Sequence, residues 1–270
     1  MPWRIRKEAL MGTVICFANQ KGGVAKTTSC INTAAALASA GRSVLVIDMD
    51  PQTNATNGLG INVAEGQPTV IDLLRGIAKG IPQDPEEAIV MVDGVAVMPG
   101  SPQLFTADTE FVQLGKEQML REIVDAIRDG YDYILIDTPP NLGWNVINAL
   151  TASDKVVIPS SPTFWSNEAI LNLLNTIAAV RRYSQNPDLE VAGILITDAE
   201  VRTGSAKRNM DVADKIGEQC GIQPFETVIP HAVAVRESVD AGRVLIASNP
   251  LSKPAIAYKM FAEEIERKVA

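Results

Sequence analysis

The chain has 270 residues, 46% of them apolar and 21% charged, with a formal net charge of −8. That apolar share supplies a sizeable core and excludes an intrinsically disordered chain, while the acidic balance excludes a protein that coats itself in nucleic acid along its whole length. The chain has no run of 18 uninterrupted apolar residues, no signal-peptide core in its opening MPWRIRKEAL and no low-complexity linker, so a single cytoplasmic domain is expected.

Residues 1–11 read as a flexible N-terminal extension ahead of one domain, 12–270. Trp3, Arg4, Arg6 and Lys7 make the extension mildly basic and amphipathic, which leaves contact with DNA or a membrane open. From residue 13 onward, short β-branched apolar runs alternate with helical patterns. Strands are predicted at 13–19, 43–49, 94–100, 131–137, 155–160, 191–197 and 227–230, and helices at 27–40, about 69–77, about 115–129, about 143–152, 166–183, 205–220 and 255–268. Near-continuous apolar strands separated by helices specify an α/β fold, a mostly parallel sheet with helices on both faces. Cys16, Cys30 and Cys220 follow no metal or disulfide spacing and are expected to be reduced and buried.

The stretch NQKGGVAKTT, residues 19–28, joins the first strand to an Ala-rich helix. Backbone N–H groups at a helix N-terminus form an anion cradle, and glycines let the backbone approach phosphate oxygens. Gly22 and Gly23 provide that approach, Lys26 is placed to reach β- and γ-phosphates, and the Thr27 hydroxyl to hold Mg²⁺. The ordinary phosphate-loop spacing G-x-x-x-x-G-K-[ST] fails here; K-G-G-x-x-K-[ST] fits. With this motif the chain resembles the ParA/MinD family of P-loop ATPases, whose loop carries two lysines. The family's usual glycine before the second lysine is Ala25 here, and alanine is poorly suited to a positive φ.

Two further strand ends complete the pattern. VLVIDMDPQTNAT (44–56) carries Asp48 and Asp50, and YDYILIDTPP (131–140) carries Asp137, each at the strand edge where parallel sheets bind ligands. Asp137 suits Mg²⁺, commonly through a bound water. Asp48 serves either as a structural hydrogen-bond acceptor or cap, or as a further functional carboxylate.

The resemblance implies the P-loop NTPase fold, ATP and Mg²⁺ as cofactors, and slow ATPase activity. It implies nucleotide contacts from Lys21, Gly22, Gly23, Val24, Ala25, Lys26, Thr27 and Thr28, with Pro230 near the adenine. It implies Lys21, Lys26 and Asp50 as catalytic residues, Lys21 reaching the ATP of a partner subunit, and Thr27, Asp50 and Asp137 at the metal. In the ParA branch the ATP-bound homodimer binds non-specific DNA on the nucleoid until a ParB-like adaptor stimulates hydrolysis, which drives plasmid or chromosome partition. With the loop starting near residue 19, a small ParA type without an N-terminal helix-turn-helix is expected.

Residues 201–260 carry a positive excess, with eight Lys/Arg against six Asp/Glu. The DNA-contact candidates are Arg202, Lys207, Arg208, Arg236, Arg243 and Lys253, since affinity for DNA comes from phosphate neutralisation. His231 and Ala234 stand where chromosomal members often carry arginine. The alternatives are the same switch positioning a protein cargo such as a receptor array, or acting at a membrane as MinD does. The C-terminal segment, with Met260, Phe261, Ile265 and Val269 on one side and Glu263, Glu264 and Glu266 elsewhere, is too acidic for an anionic lipid surface, so no membrane partner is expected. A nitrogenase-type reductase would need cysteines in loops suited to an iron–sulfur cluster.

Overall fold

The computed structural model describes residues 11–162, 167–184, 186–200, 215, 217–218 and 221–269. Eight strands form one sheet: β1 (Thr13–Phe17), β2 (Val44–Asp48), β3 (Val90–Val92), β4 (Val95–Met98), β5 (Tyr133–Asp137), β6 (Lys155–Ser160), β7 (Glu190–Ala199) and β8 (Pro224–Pro230). Their order is β3-β4-β2-β5-β1-β6-β7-β8, parallel except for the β3–β4 hairpin at one edge. Burial on both faces explains the apolar runs, since all five residues of β2 and of β5 are buried.

The described α-helices are α1 (Lys26–Ser39), α2 (Asn54–Gly58), α3 (Val70–Ala78), α4 (Ala107–Glu110), α5 (Met119–Ile127), α6 (Trp144–Thr151), α7 (Asn167–Tyr183), α8 (Val233–Asp240), α9 (Leu245–Ser248) and α10 (Lys253–Val269). One core packs α3, α5, α6 and α7 against Val14, Cys16, Ile134 and Ile136. The other packs α1, α9 and α10 against Ile15, Phe17, Val46 and Leu135. The odd and even residues of β1, β2, β4 and β5 therefore face different helical layers.

Several expectations need correction. β3 was not anticipated; Asp93 and Gly94, both at positive φ, form the two-residue turn that joins it to β4. The helix expected at 115–129 is α only over Met119–Ile127, with 3₁₀ turns at Lys116–Gln118 and Arg128–Gly130. The short helices α2, α4, α8 and α9 were also missed. Most of the helix expected at 205–220 lies outside the described residues, as do Cys220 and residues 1–10 of the N-terminal extension. Cys16 and Cys30 are buried free thiols. The C-terminal helix does pack on the domain, through Tyr258, Phe261 and Ile265. Met260 instead faces solvent, because a residue adjacent to Phe261 is rotated about 100° from it around the helix.

Edge strand β8 is closed by a carboxylate of α10. Glu264, only 2% exposed, accepts from the N–H groups of Glu226 (2.7 Å) and Thr227 (3.0 Å). These bonds hold its carboxyl below the ordinary range against the opposing effect of burial, which by itself pushes the group up.

Candidate nucleotide and metal site

The loop 18–25 leaves β1 in the middle of the sheet. Asn19 fixes its start: the side-chain amide donates to the Pro159 carbonyl (2.8 Å) and the side-chain oxygen accepts from Lys21 N (3.0 Å). Gly23 has φ +75° and Ala25 has φ +58°. The left-handed conformation that alanine tolerates poorly is thus the one Ala25 adopts, and the loop closes despite the missing glycine. No side chain caps α1 and no acidic residue lies in its first turn, so the N–H groups there stay available to an anion. A Cβ placed on Gly22 or Gly23 would meet nothing within 4 Å, which shows how open the loop's outer side is.

Lys26 is buried, and its Nζ donates to the Lys21 carbonyl at 3.0 Å, across the loop. Burial lowers its pKa, while Asp137 and Asp50 act in the opposite direction. Lys21 is exposed, and its ammonium has no partner among the described residues. The two lysines therefore differ in kind: one is held inside the loop, the other stands at its lip.

Register aligns the carboxylates. Asp48 at the end of β2 lies beside Asp137 at the end of β5, and Phe17 of β1 lies on the other side of Asp137. The Thr27 hydroxyl donates to Asp137 Oδ2 at 2.7 Å, while Asp137 Oδ1, also buried, has no partner among the described residues. Burial pushes this carboxyl well above the ordinary carboxylate range, with the neighbouring Asp48 adding to the shift. A buried acceptor without a donor, next to a threonine hydroxyl, fits a hydrated Mg²⁺, which takes few protein carboxylates. Among the described residues no group of three His, Cys, Asp or Glu side chains could cage a metal. That also suits an ion whose other ligands are water and phosphate.

Asp48 is committed to structure. It accepts from Asp50 N (3.1 Å), Thr56 N (2.9 Å) and the Thr56 hydroxyl (2.7 Å), and Thr56 Oγ1 in turn accepts from Gly100 N (3.0 Å). Burial raises its pKa to about 6 in spite of these donors. A Cβ on Gly100 would come within 2.9 Å of the Asp48 carboxyl carbon, so glycine is required there. Of the two readings the sequence left open for Asp48, the hydrogen-bond acceptor is the one its geometry favours. This hub holds α2, and so the loop carrying Asp50. Asp50 is buried, with Oδ1 accepting from Gln52 N at 2.9 Å.

Beside the loop lies a cavity of about 390 Å³, lined among others by Thr28, Asp198, Pro230, His231, Val233 and Tyr258. Pro230 thus sits next to the start of α1. Asp198 and His231 were not singled out as site residues; the available signal was that Asp198 ends a β-branched run, ILITD, as Asp48 and Asp137 end theirs. The DNA-contact candidates are not assembled in the same way. Arg202, Lys207 and Arg208 lie outside the described residues, Arg236 belongs to α8, and the exposed Arg243 and Lys253 flank α9.

Residues 12–191 match the AAA-domain family model. The chain is 39% identical over 256 residues to the sporulation initiation inhibitor protein Soj of Bacillus subtilis, covering 94% of this chain and 98% of that one. It is 40% identical to the chromosome-partitioning ATPase Soj of Thermus thermophilus, covering 94% and 96%. The chain belongs to the ParA/MinD family of P-loop ATPases. Among solved structures, cobyrinic acid a,c-diamide synthase of Mycobacterium smegmatis with bound ADP and magnesium superposes with a TM-score of 0.81 at 30% identity, over 95% of both chains. As a ParA/MinD-type ATPase the chain works with ATP and Mg²⁺.

Proposed function

We propose that this protein is a small partition ATPase whose ATP-bound form dimerises, binds non-specific DNA on the nucleoid and is released when a ParB-like adaptor stimulates hydrolysis. The observation that carries the proposal is the contrast between its two loop lysines. Lys26 is buried and directed into its own loop, whereas the exposed Lys21 at the lip has no ammonium partner among the described residues. A cation so placed suits a phosphate held by a second copy, where it would neutralise charge that accumulates during phosphoryl transfer.

Within one site, the N–H groups of the loop and of the α1 N-terminus bind the phosphates, and Lys26 reaches the β- and γ-phosphates. Thr27 and Asp137 hold the metal, which when bound supplies charge neutralisation at the phosphates. Asp50 orients the attacking water. Domain limits of 12–270, with residues 1–11 as an extension, belong to the same reading. Arg236, Arg243 and Lys253, together with Arg202, Lys207 and Arg208, are the DNA-contact set, consistent with the positive excess of residues 201–260. The close relatives named for partition support a cytoplasmic role of this kind. No described helix is long and apolar enough to cross a membrane, and α10 commits Tyr258, Phe261 and Ile265 to the core.

The test is light scattering and duplex-DNA binding with Mg²⁺ and a slowly hydrolysed ATP analogue at two salt concentrations, for wild type, Lys21→Ala and Arg236→Glu. Wild type should dimerise and bind DNA in a salt-sensitive way. Lys21→Ala should lose both properties, and Arg236→Glu should lose DNA binding while still dimerising. A wild type that dimerises without binding DNA would overturn the DNA assignment in favour of a protein cargo.

A further inference from the structure

Strand β7 breaks its own alternation at the nucleotide end. Ile194 and Ile196 face the α3/α5/α6/α7 layer, and a regular strand would send residue 198 the same way. Ala199 takes that place instead. Pairing with β8 runs from Ile196↔Val228 to Ala199↔Pro230, three steps on β7 against two on β8, so one residue is extra. The extra residue is Asp198, at φ +56°. Bulges of this kind re-aim a side chain and occur beside active sites. A non-glycine residue in this conformation carries strain, which aspartate tolerates better than most.

The re-aimed carboxylate lines the 390 Å³ cavity beside α1. Its Oδ1 shares a 2.5 Å hydrogen bond with His231 Nδ1, and His231 is itself tied to the bulge by its N–H donating to the Ala199 carbonyl (2.9 Å). Oδ2 has no hydrogen-bond partner among the described residues. The adjacent Thr197 hydroxyl donates to Val24 O (3.1 Å), which fixes the bulge to the phosphate loop. Other walls of the cavity are apolar, from Ile229, Pro230, Val233, Val235 and Tyr258, and this lining suits a flat heterocycle.

We infer that Asp198, positioned by His231, is the residue that selects the base, accepting a hydrogen bond from the exocyclic 6-amino group of adenine. The inference rests on the cavity being the base subsite of the proposed ATPase. An ionised carboxylate only accepts hydrogen bonds. Adenine offers an N–H donor at position 6, whereas hypoxanthine and guanine present an acceptor oxygen there, which the carboxylate repels. The Asp198 side chain is 41% exposed, so discrimination comes from the hydrogen bond gained with the 6-amino group and the repulsion of a 6-oxygen rather than from a buried group left unsatisfied.

The experiment is calorimetric titration of the full chain with Mg²⁺ and ADP, IDP or 2′-deoxy-ADP. Wild type, Asp198→Gly, Asp198→Asn and Lys26→Ala are compared. Diphosphates avoid turnover, and glycine removes the carboxylate while relieving the positive φ, so that variant should fold. Wild type should bind ADP at least about tenfold more tightly than IDP, the factor expected for one hydrogen bond to a charged group. 2′-Deoxy-ADP should match ADP. The ADP/IDP ratio should collapse towards one in Asp198→Gly and in Asp198→Asn, whose amide can donate to the 6-oxygen.

Equal binding of ADP and IDP to wild type, or a ratio that survives both Asp198 variants, overturns the inference. A selective loss with 2′-deoxy-ADP does so too, by moving the contact to the ribose. If wild type binds none of the three nucleotides and behaves like Lys26→Ala, the nucleotide reading itself fails, and this inference with it.

Discussion

Replacing Ala25 by glycine should stabilise the nucleotide-free protein, although Ala25 sits in the phosphate loop. The residue adopts φ +58° and ψ +34°, immediately before α1, with its carbonyl accepting from Ser29 N at 2.9 Å. In that region an L-residue brings Cβ too close to the following carbonyl oxygen, at a cost of roughly 1–2 kcal/mol. Glycine removes that cost but adds freedom to the unfolded chain, worth about 0.4–1 kcal/mol in the opposite direction. The difference favours glycine by about 0.5–1 kcal/mol, a rise in Tm of roughly 1–4 °C for a chain near this size. Urea unfolding of wild type and Ala25→Gly, followed by circular dichroism without nucleotide, measures it: the midpoint should rise at an unchanged slope. A midpoint that falls by the equivalent of about 0.5 kcal/mol or more would refute the reasoning, by showing that the Ala25 methyl gains more from packing than its backbone loses to strain.

Glu264→Ala should destabilise the fold by about 2 kcal/mol, because the N–H groups of Glu226 and Thr227 at the sheet edge lose their acceptor. The folded carboxyl lies below its ordinary 4.5, so its contribution is present above that pH and is lost as pH falls through the folded value. The stability gap between wild type and variant, read from urea midpoints, should therefore be full at pH 7 and close in strong acid; a gap that widens on acidification contradicts the assignment. For Asp137 the sign is reversed. Burial raises its pKa in the metal-free chain, so an ion that takes Oδ1 must displace a proton wherever the group is protonated. The affinity for Mg²⁺ in the presence of ADP should rise with pH, by up to about tenfold per unit for one released proton, and Asp137→Asn should flatten that slope in calorimetry.

The parallel sheet and the loop proposed to bind phosphate were legible in the sequence because their signals are local. A β-branched run ending in Asp137 or Asp48 states both the strand and the edge at which its carboxylate emerges, and K-G-G-x-x-K-T states a loop and the helix it opens. What escaped depends on partners distant in the chain. α2, with the sequence NATNG, has poor intrinsic helix propensity. Asp48 supports it by accepting from Thr56, while Gly100, 44 residues further on, donates to that threonine. Ala25 reads as a departure from the family pattern, and only the backbone shows that the loop keeps its left-handed turn and bears the strain. Asp198 is the clearest instance. By period-two alternation it belongs to the face of Ile194 and Ile196, and nothing in ILITDA marks the extra residue, because a bulge is a mismatch between two strands rather than a property of one. The count that reveals it, three residues of β7 against two of β8, exists only once Val228 and Pro230 are paired. The chain thus carries its proposed phosphate contacts in contiguous motifs, whereas the carboxylate facing the adjoining cavity is set by the register between two strands.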